Sequence, residues 1–238
     1  MNDHAHDLRS VHEATDRLLT AAAGLDDVSA AGPSRLPGWT RSHVLAHLAR
    51  NADALTNLLD SAHTGMDTPM YRSEDARNED IERDAHRPVA VHLDDLRSSA
   101  ARFDAAAARL TDEQWQHVVA MRNGRSNPAY VLPHMRRVEI ELHHVDLDVG
   151  YSMARLPAEF VDRQLDFIGG RQFVDRPGVP ALLLRTDGER EWRTGDSAGD
   201  PVTVEGAPGA LLGWLTGRTD GSGLSTPAAA LPVLPPLG

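Results

Sequence analysis

The chain has 238 residues, a formal net charge of −11, and 41% hydrophobic against 25% charged residues. That is enough for one large or two modest hydrophobic cores, and it excludes a disordered chain. The acidic balance speaks against nucleic acid as a partner, because phosphate binding needs a basic patch. No apolar stretch approaches the ~20 residues of a membrane span. Cysteine is absent, so there is no disulfide and no protein thiolate, and any sulfur chemistry must use a small-molecule thiol. The opening MNDHAHDLRS lacks the basic-then-apolar layout of a signal peptide, and the expected location is the cytoplasm. All 24 basic residues are arginine, which with the many alanines points to a GC-rich genome.

In chain order, residues 5–23 place Leu8, Val11, Leu18 and Leu19 near helical spacing. Breakers follow (Gly32, Pro33, Pro37, Gly38), and then Thr40 as an N-cap. From there to about Asp60, Val44, Leu45, Leu48, Ala52, Leu55 and Leu59 trace a second helix. Residues 61–87 are polar and irregular, and read as a long loop with at most a short helix. A third helix spans Pro88 to Leu110 through Leu93, Leu96, Ala100, Phe103 and Ala107. A loop carrying Asn123, Gly124 and Pro128 leads to a fourth helix from about Pro133 to Tyr151, with Val138, Leu142, Val145 and Val149 on its buried side. Four amphipathic helices of this length suggest an antiparallel bundle.

The pattern changes near Leu156. A helix at about 157–170 precedes short strands at Ala181–Thr186, Glu191–Thr194 and Val202–Glu205, with Asp187-Gly188 as a hairpin signal. A short helix follows in PGALLGWLTGR, with Pro208 near its start and Gly217 near its end. The Pro- and Ala-rich tail from Ser225 to Gly238 is expected to lie extended. The expected organisation is a four-helix bundle over 1–154 and a small α+β domain over 155–238. No heptad seam or other interface signal marks an oligomer.

A metal site in a bundle needs His and carboxylate side chains aimed inward from facing helices. The fourth helix offers Glu139 and His143, four residues and so roughly 40° apart around the axis, with Arg136 on the same side. The second helix offers His47 at the edge of its apolar stripe, while His43 lies further towards the polar side. Two imidazoles and one carboxylate would hold a divalent ion and leave a position open for substrate, as in catalytic zinc sites. Asp146, three residues past His143, could orient an imidazole. By spacing alone, a run such as EIELHHVDLD is usually a solvated charged face, and a partly buried His47 more often a hydrogen-bonded bundle residue than a ligand.

The segment Leu36-Pro37-Gly38-Trp39-Thr40-Arg41-Ser42-His43-Val44-Leu45-Ala46-His47-Leu48-Ala49 closely resembles the opening signature of mycothiol-dependent maleylpyruvate isomerases, members of the DinB/YfiT-like superfamily of metal-binding four-helix bundles. Arg136-Arg137-Val138-Glu139-Ile140-Glu141-Leu142-His143-His144-Val145-Asp146-Leu147 resembles the second signature, and Gly213-Trp214-Leu215-Thr216-Gly217-Arg218 the C-terminal one. The resemblance implies zinc, or another divalent ion, on His47, Glu139 and His143, with mycothiol, an actinobacterial thiol, as cofactor. It implies that the thiolate adds to the cis double bond of maleylpyruvate, that the adduct rotates, and that elimination gives fumarylpyruvate. It makes Arg218 the first candidate to grip a substrate carboxylate and Arg136 a second candidate, placed with the cofactor. Without the motif, Arg218 reads as a charge complementing a helix C-terminus. Trp39 and Trp214 read first as packing residues and second as pocket walls. Two other readings stand beside the isomerase. One is a mycothiol S-transferase acting on another small electrophile; the other is a binding module that has lost catalysis.

Overall fold

The computed structural model describes residues 4–122, 124–188 and 190–237. The chain divides into two compact units, Met1–Gly150 and Tyr151–Gly238. The first unit holds α1 (His4–Ala22), α2 (Asp27–Ala30), α3 (Arg41–Thr64), α4 (Glu74–Asp84) and α5 (Val89–Ala107). A small hairpin of β1 (Val118–Ala120) and β2 (Ser126–Pro128) and the helix α6 (Leu132–Asp146) complete it. The long helices α1, α3, α5 and α6 pack so that α3 lies against α5 and α6, and α1 against the same two. Their shared core includes Leu18, Leu45, Leu48, Leu55, Leu58, Leu96, Phe103, Leu132 and Ile140, each at most 2% exposed.

Thr40 begins α3 as expected, but its capping box closes on His43 rather than on a Glu or Gln: the Thr40 hydroxyl accepts from the His43 N–H, and the Thr40 N–H donates to His43 Nδ1. The helix then runs past Asp60 to Thr64, because Ser61 and Ala62 are still buried and the first stop is Gly65, left-handed at φ 72°. Two ties fix the start of α3 beside the end of α6. The Arg35 N–H donates to the Asp146 carbonyl at 2.8 Å, and Arg41 Nε to the Leu147 carbonyl at 2.7 Å.

Three expectations need correction. Residues 61–87 are not mainly loop. They carry α4, 11 residues long, capped by Ser73 and opened by Glu74 and Asp75. The segment before α6 holds the β1–β2 hairpin, though Asn123 lies outside the described residues. Finally, α6 ends at Asp146 rather than near Tyr151, because Asp148 (φ 55°) and Gly150 (φ 88°) take left-handed backbone, and Val149 falls beyond the helix.

The second unit contains α7 (Ala158–Phe167), β3 (Leu182–Thr186), β4 (Glu191–Thr194), β5 (Val202–Gly206) and α8 (Pro208–Leu215). The sheet order is β4-β3-β5. The pair β3–β4 is antiparallel about the Asp187-Gly188 turn, and β3–β5 is parallel, with Leu184 opposite Val204. The return from β4 to β5 depends on Gly195, whose φ is 75° and whose added Cβ would meet the Pro180 carbonyl oxygen at 1.8 Å. α8 starts with Pro208 in its first turn and is followed by left-handed Gly217. The tail beyond Ser225 carries no helix or strand among its described residues. No helix of the described residues is long and apolar enough to cross a membrane.

Candidate metal centre

The ties between α3 and α6 bring three sequence-distant side chains to one point. His47 Nε2 lies 3.0 Å from Glu139 Oε2 and 3.1 Å from His143 Nε2, and His143 Nε2 lies 3.4 Å from Glu139 Oε2. Two imidazole nitrogens and a carboxylate oxygen meet here, and each can turn a lone pair towards one ion when the imidazoles are neutral. A tetrahedral ion with bonds of about 2.0–2.1 Å has ligand–ligand edges of about 3.3 Å. The observed triangle has that size, and among the described residues it is the one group of His, Asp and Glu gathered tightly enough to hold an ion.

Neighbouring groups set each ligand's state. His143 Nδ1 faces Asp146 Oδ2 at 2.8 Å, and the fully buried Asp146 carboxylate fixes the ring with Nε2 turned to the triangle. Burial lowers the His143 pKa, but Asp146 and Glu139 outweigh it and raise the imidazole above its ordinary value. For Glu139, burial pushes the carboxyl up, but hydrogen bonds from His143 and His47 hold it well below the usual range, so it is ionised. Burial lowers the His47 imidazole despite Glu139 beside it. Glu139 sits deep among protein atoms while 34% of its side-chain surface stays open, against 16% for His143 and 6% for His47. The open approach is therefore on the Glu139 side. The Trp39 ring packs near His47, with the two ring centroids 5.5 Å apart.

The solvated-face reading of EIELHHVDLD does not hold, because Ile140, Glu141, Leu142, His144, Val145 and Asp146 are all buried. Arg17 pairs with Glu141 at 2.7 Å, and burial pushes His144 down to about 4, so that it is neutral at pH 7. Arg136 is 2% exposed, and its Nη1 donates to the Leu48 carbonyl and to Asn51 Oδ1, both at 2.8 Å. Burial lowers it to about 10, with Glu139 the strongest opposing charge. It remains a cation, held within the bundle. His43 keeps away from the triangle and faces Glu82 at 3.2 Å. Arg218 follows α8 in the second unit, partly buried, with its N–H bonded to the Gly213 carbonyl.

One neighbour was not singled out from the sequence. Arg77, from α4, places Nη2 3.3 Å from His47 Nδ1. The helix carrying it was legible in the Ser73 cap and the acidic first turn, but nothing local marks Arg77 among the arginines around it.

Residues 11–148 match the family model of the mycothiol maleylpyruvate isomerase N-terminal domain, and residues 155–235 that of the MDMPI C-terminal domain. The chain belongs to the mycothiol maleylpyruvate isomerase family. It is an enzyme of that kind. Among solved structures it is similar to the mycothiol-dependent maleylpyruvate isomerase and to a mutant of it. Each is 28% identical, with a TM-score of 0.91 over 98% of this chain and 96% of that one. YfiT from Bacillus subtilis, which has an unusual four-helix bundle topology, is 18% identical with a TM-score of 0.53. That match covers 68% of this chain and 87% of YfiT, and it supports a shared fold. No curated protein sequence matches. Within the isomerase family match, His47, Glu139 and His143 all fall in the N-terminal model, and Arg218 falls in the C-terminal one.

Proposed function

We propose that the chain is a cytoplasmic isomerase that converts maleylpyruvate to fumarylpyruvate, with mycothiol as thiol cofactor and zinc held by His47, Glu139 and His143. We place an antiparallel DinB-like bundle over 1–154 and an α+β domain over 155–238. The observation that carries the reading is the ligand triangle, with edges of 3.0–3.4 Å, in a chain that matches both domain models of the family. A divalent ion there supplies positive charge that lowers the pKa of a small-molecule thiol.

The chain's own residues then do five things. Asp146 holds His143 in the tautomer that presents Nε2, and Glu139 contributes the single negative charge of the triangle. Arg136 acts as a buried countercharge to Glu139 rather than as a grip on the cofactor, since its Nη1 is committed to Leu48 and Asn51. Trp39 packs near the His47 ring and limits water there. Arg218 is assigned to a substrate carboxylate from its motif. In the reaction, a C–S bond forms as the thiolate adds to the cis double bond and the π pair moves into an enolate. The resulting single bond rotates, the pair returns, and the C–S bond breaks to release the thiolate, with no net redox change.

Maleylpyruvate turnover with and without mycothiol tests this. Isomerisation that needs the thiol and is lost in Glu139→Ala is expected. No isomerisation, with mycothiol conjugated instead to another electrophile, would replace the reading with an S-transferase. No thiol chemistry at all would leave a binding module.

A further inference from the structure

We infer that Arg77 is the carboxylate-binding residue beside the metal centre, gripping one end of a small dicarboxylate in a cavity between α3 and the 70–80 segment. The inference rests on the metal reading of the triangle and adds to it a residue and a subsite. The cavity measures about 210 Å³, and its walls include Asn57, Tyr71, Arg77 and Asp80. It falls below the roughly 300–1,000 Å³ of drug-sized pockets, so it suits a small anion rather than a large cofactor.

The charges around it separate Arg77 from its neighbours. Arg50, also on the wall, is spent on Asp84 at 3.1 Å, Asp95 at 2.7 Å and Asp53 at 3.2 Å. Asp53 is further bound by Arg102, and Asp80 by Arg83. Arg77 reaches one carboxylate, Glu74, at 4.0 Å, and that carboxylate is already held by both oxygens on Arg122, at 2.7 and 2.9 Å. Its short bond is to the neutral Asn78 amide at 2.9 Å. A guanidinium has five N–H donors in a fork matched to a carboxylate, so Arg77 is the half-buried wall cation with donors to spare, whereas Arg72, also on the wall, is 81% exposed and lies 3.8 Å from Asp80.

Its position also fits. The side chain is only 15% exposed, the guanidinium lies over the Tyr71 ring at 5.8 Å, and Nη2 faces His47 Nδ1. An imidazole that commits Nε2 to a metal carries its proton on Nδ1 and has no acceptor to offer a guanidinium. Arg77 is then left facing an incoming anion one imidazole width from the metal-binding point. Burial raises the Tyr71 hydroxyl pKa, so it stays protonated and can donate beside Arg77.

The test is calorimetric titration of maleate into the zinc-loaded full-length protein, comparing wild type with Arg77→Gln, Arg77→Lys and Arg97→Gln, an exposed control on α5 that is not part of the cavity wall. Zinc content, measured on each variant, confirms an intact centre. Loss of a charge-assisted grip is expected to weaken maleate at least about tenfold in Arg77→Gln, with Arg77→Lys in between and Arg97→Gln unchanged. Equal maleate affinity in wild type and Arg77→Gln, or no binding to wild type, overturns the inference. Maleate binding needs no turnover, so the two readings fail separately. A protein that isomerises nothing but loses maleate on Arg77→Gln keeps this subsite and removes the proposed activity. Thiol-dependent turnover with an unchanged KM in Arg77→Gln does the reverse.

Discussion

The helical unit contains two clusters of polar side chains built on opposite rules, one of Arg and Asp and one of His and Glu. Around Asp84, donors and acceptors alternate. The fully buried carboxylate meets Arg50 at 3.1 Å, Arg83 at 2.8 Å and Arg87 at 2.6 Å, and Arg50 and Arg87 both continue to Asp95. At the His47–Glu139–His143 triangle, three lone-pair bearers converge and the cations stand outside, Arg136 below and Arg77 to one side. The first cluster is complete by itself and pins α4 to α3 and α5. The second gathers three atoms that could hold a metal ion. The order of donors and acceptors separates the knot from the triangle.

Breaking each cluster should therefore fail in a different way. Removing the carboxylate of the triangle with Glu139→Ala should abolish stoichiometric zinc binding and cut turnover by about a thousandfold, several kcal/mol of charge stabilisation being withdrawn. Elemental analysis and steady-state kinetics read the two effects. Removing the carboxylate of the knot with Asp84→Ala should leave zinc at one per chain but cost about 1–3 kcal/mol in urea unfolding, because three guanidinium groups lose a buried partner while each keeps another carboxylate. Asp146→Asn sharpens the contrast. It leaves the three ligands in place and spoils the orientation of His143, so zinc affinity should fall about 10–100-fold in a competition titration. Thr40→Ala, which opens the capping box at the start of α3, should cost about 1 kcal/mol of stability and little metal affinity.

The knot also predicts a pH dependence. His92 on α5 is 2% exposed, burial and Arg87 lower its imidazole pKa, and its Nε2 has no hydrogen-bond partner among the described residues. A lowered pKa means that the unfolded chain takes up the proton first. The contribution of neutral His92 is thus fully present above the ordinary imidazole value near 6.5, and it is lost as pH falls through that value towards the lowered one. His92→Leu should flatten the acid side of a plot of urea-unfolding free energy against pH, while leaving the alkaline side as it was.

The sequence shows the two clusters unequally. The triangle was legible through the resemblance of its segments to the family signatures; helix spacing alone put Glu139 and His143 on a shared face and His47 at the edge of an apolar stripe, and left other readings open. The knot was not. Arg50, Asp84, Arg87 and Asp95 lie on three helices, and their pairing follows from how those helices pack, which charge spacing does not encode. The same blindness hid Arg77 inside a segment that reads as polar and irregular, even though Ser73, Glu74 and Asp75 form a proper helix start. In the second unit, the strands and the final helix follow alternation, a hairpin dipeptide, Pro208 and Gly217, all of which are local signals. The parallel partnership of β5 with β3 depends on the close approach at Gly195, a contact that no local pattern announces.

The most direct measurement is zinc stoichiometry on protein purified without added metal and then supplemented, set beside a His47→Ala, Glu139→Ala, His143→Ala triple variant. About one zinc per chain in the wild type, none in the variant and a wild-type melting temperature that rises with free zinc are expected, since a ligand that binds only the folded state stabilises it. No zinc, nickel or manganese retained by the wild type, or equal retention by the triple variant, would mean that the triangle is not a metal centre.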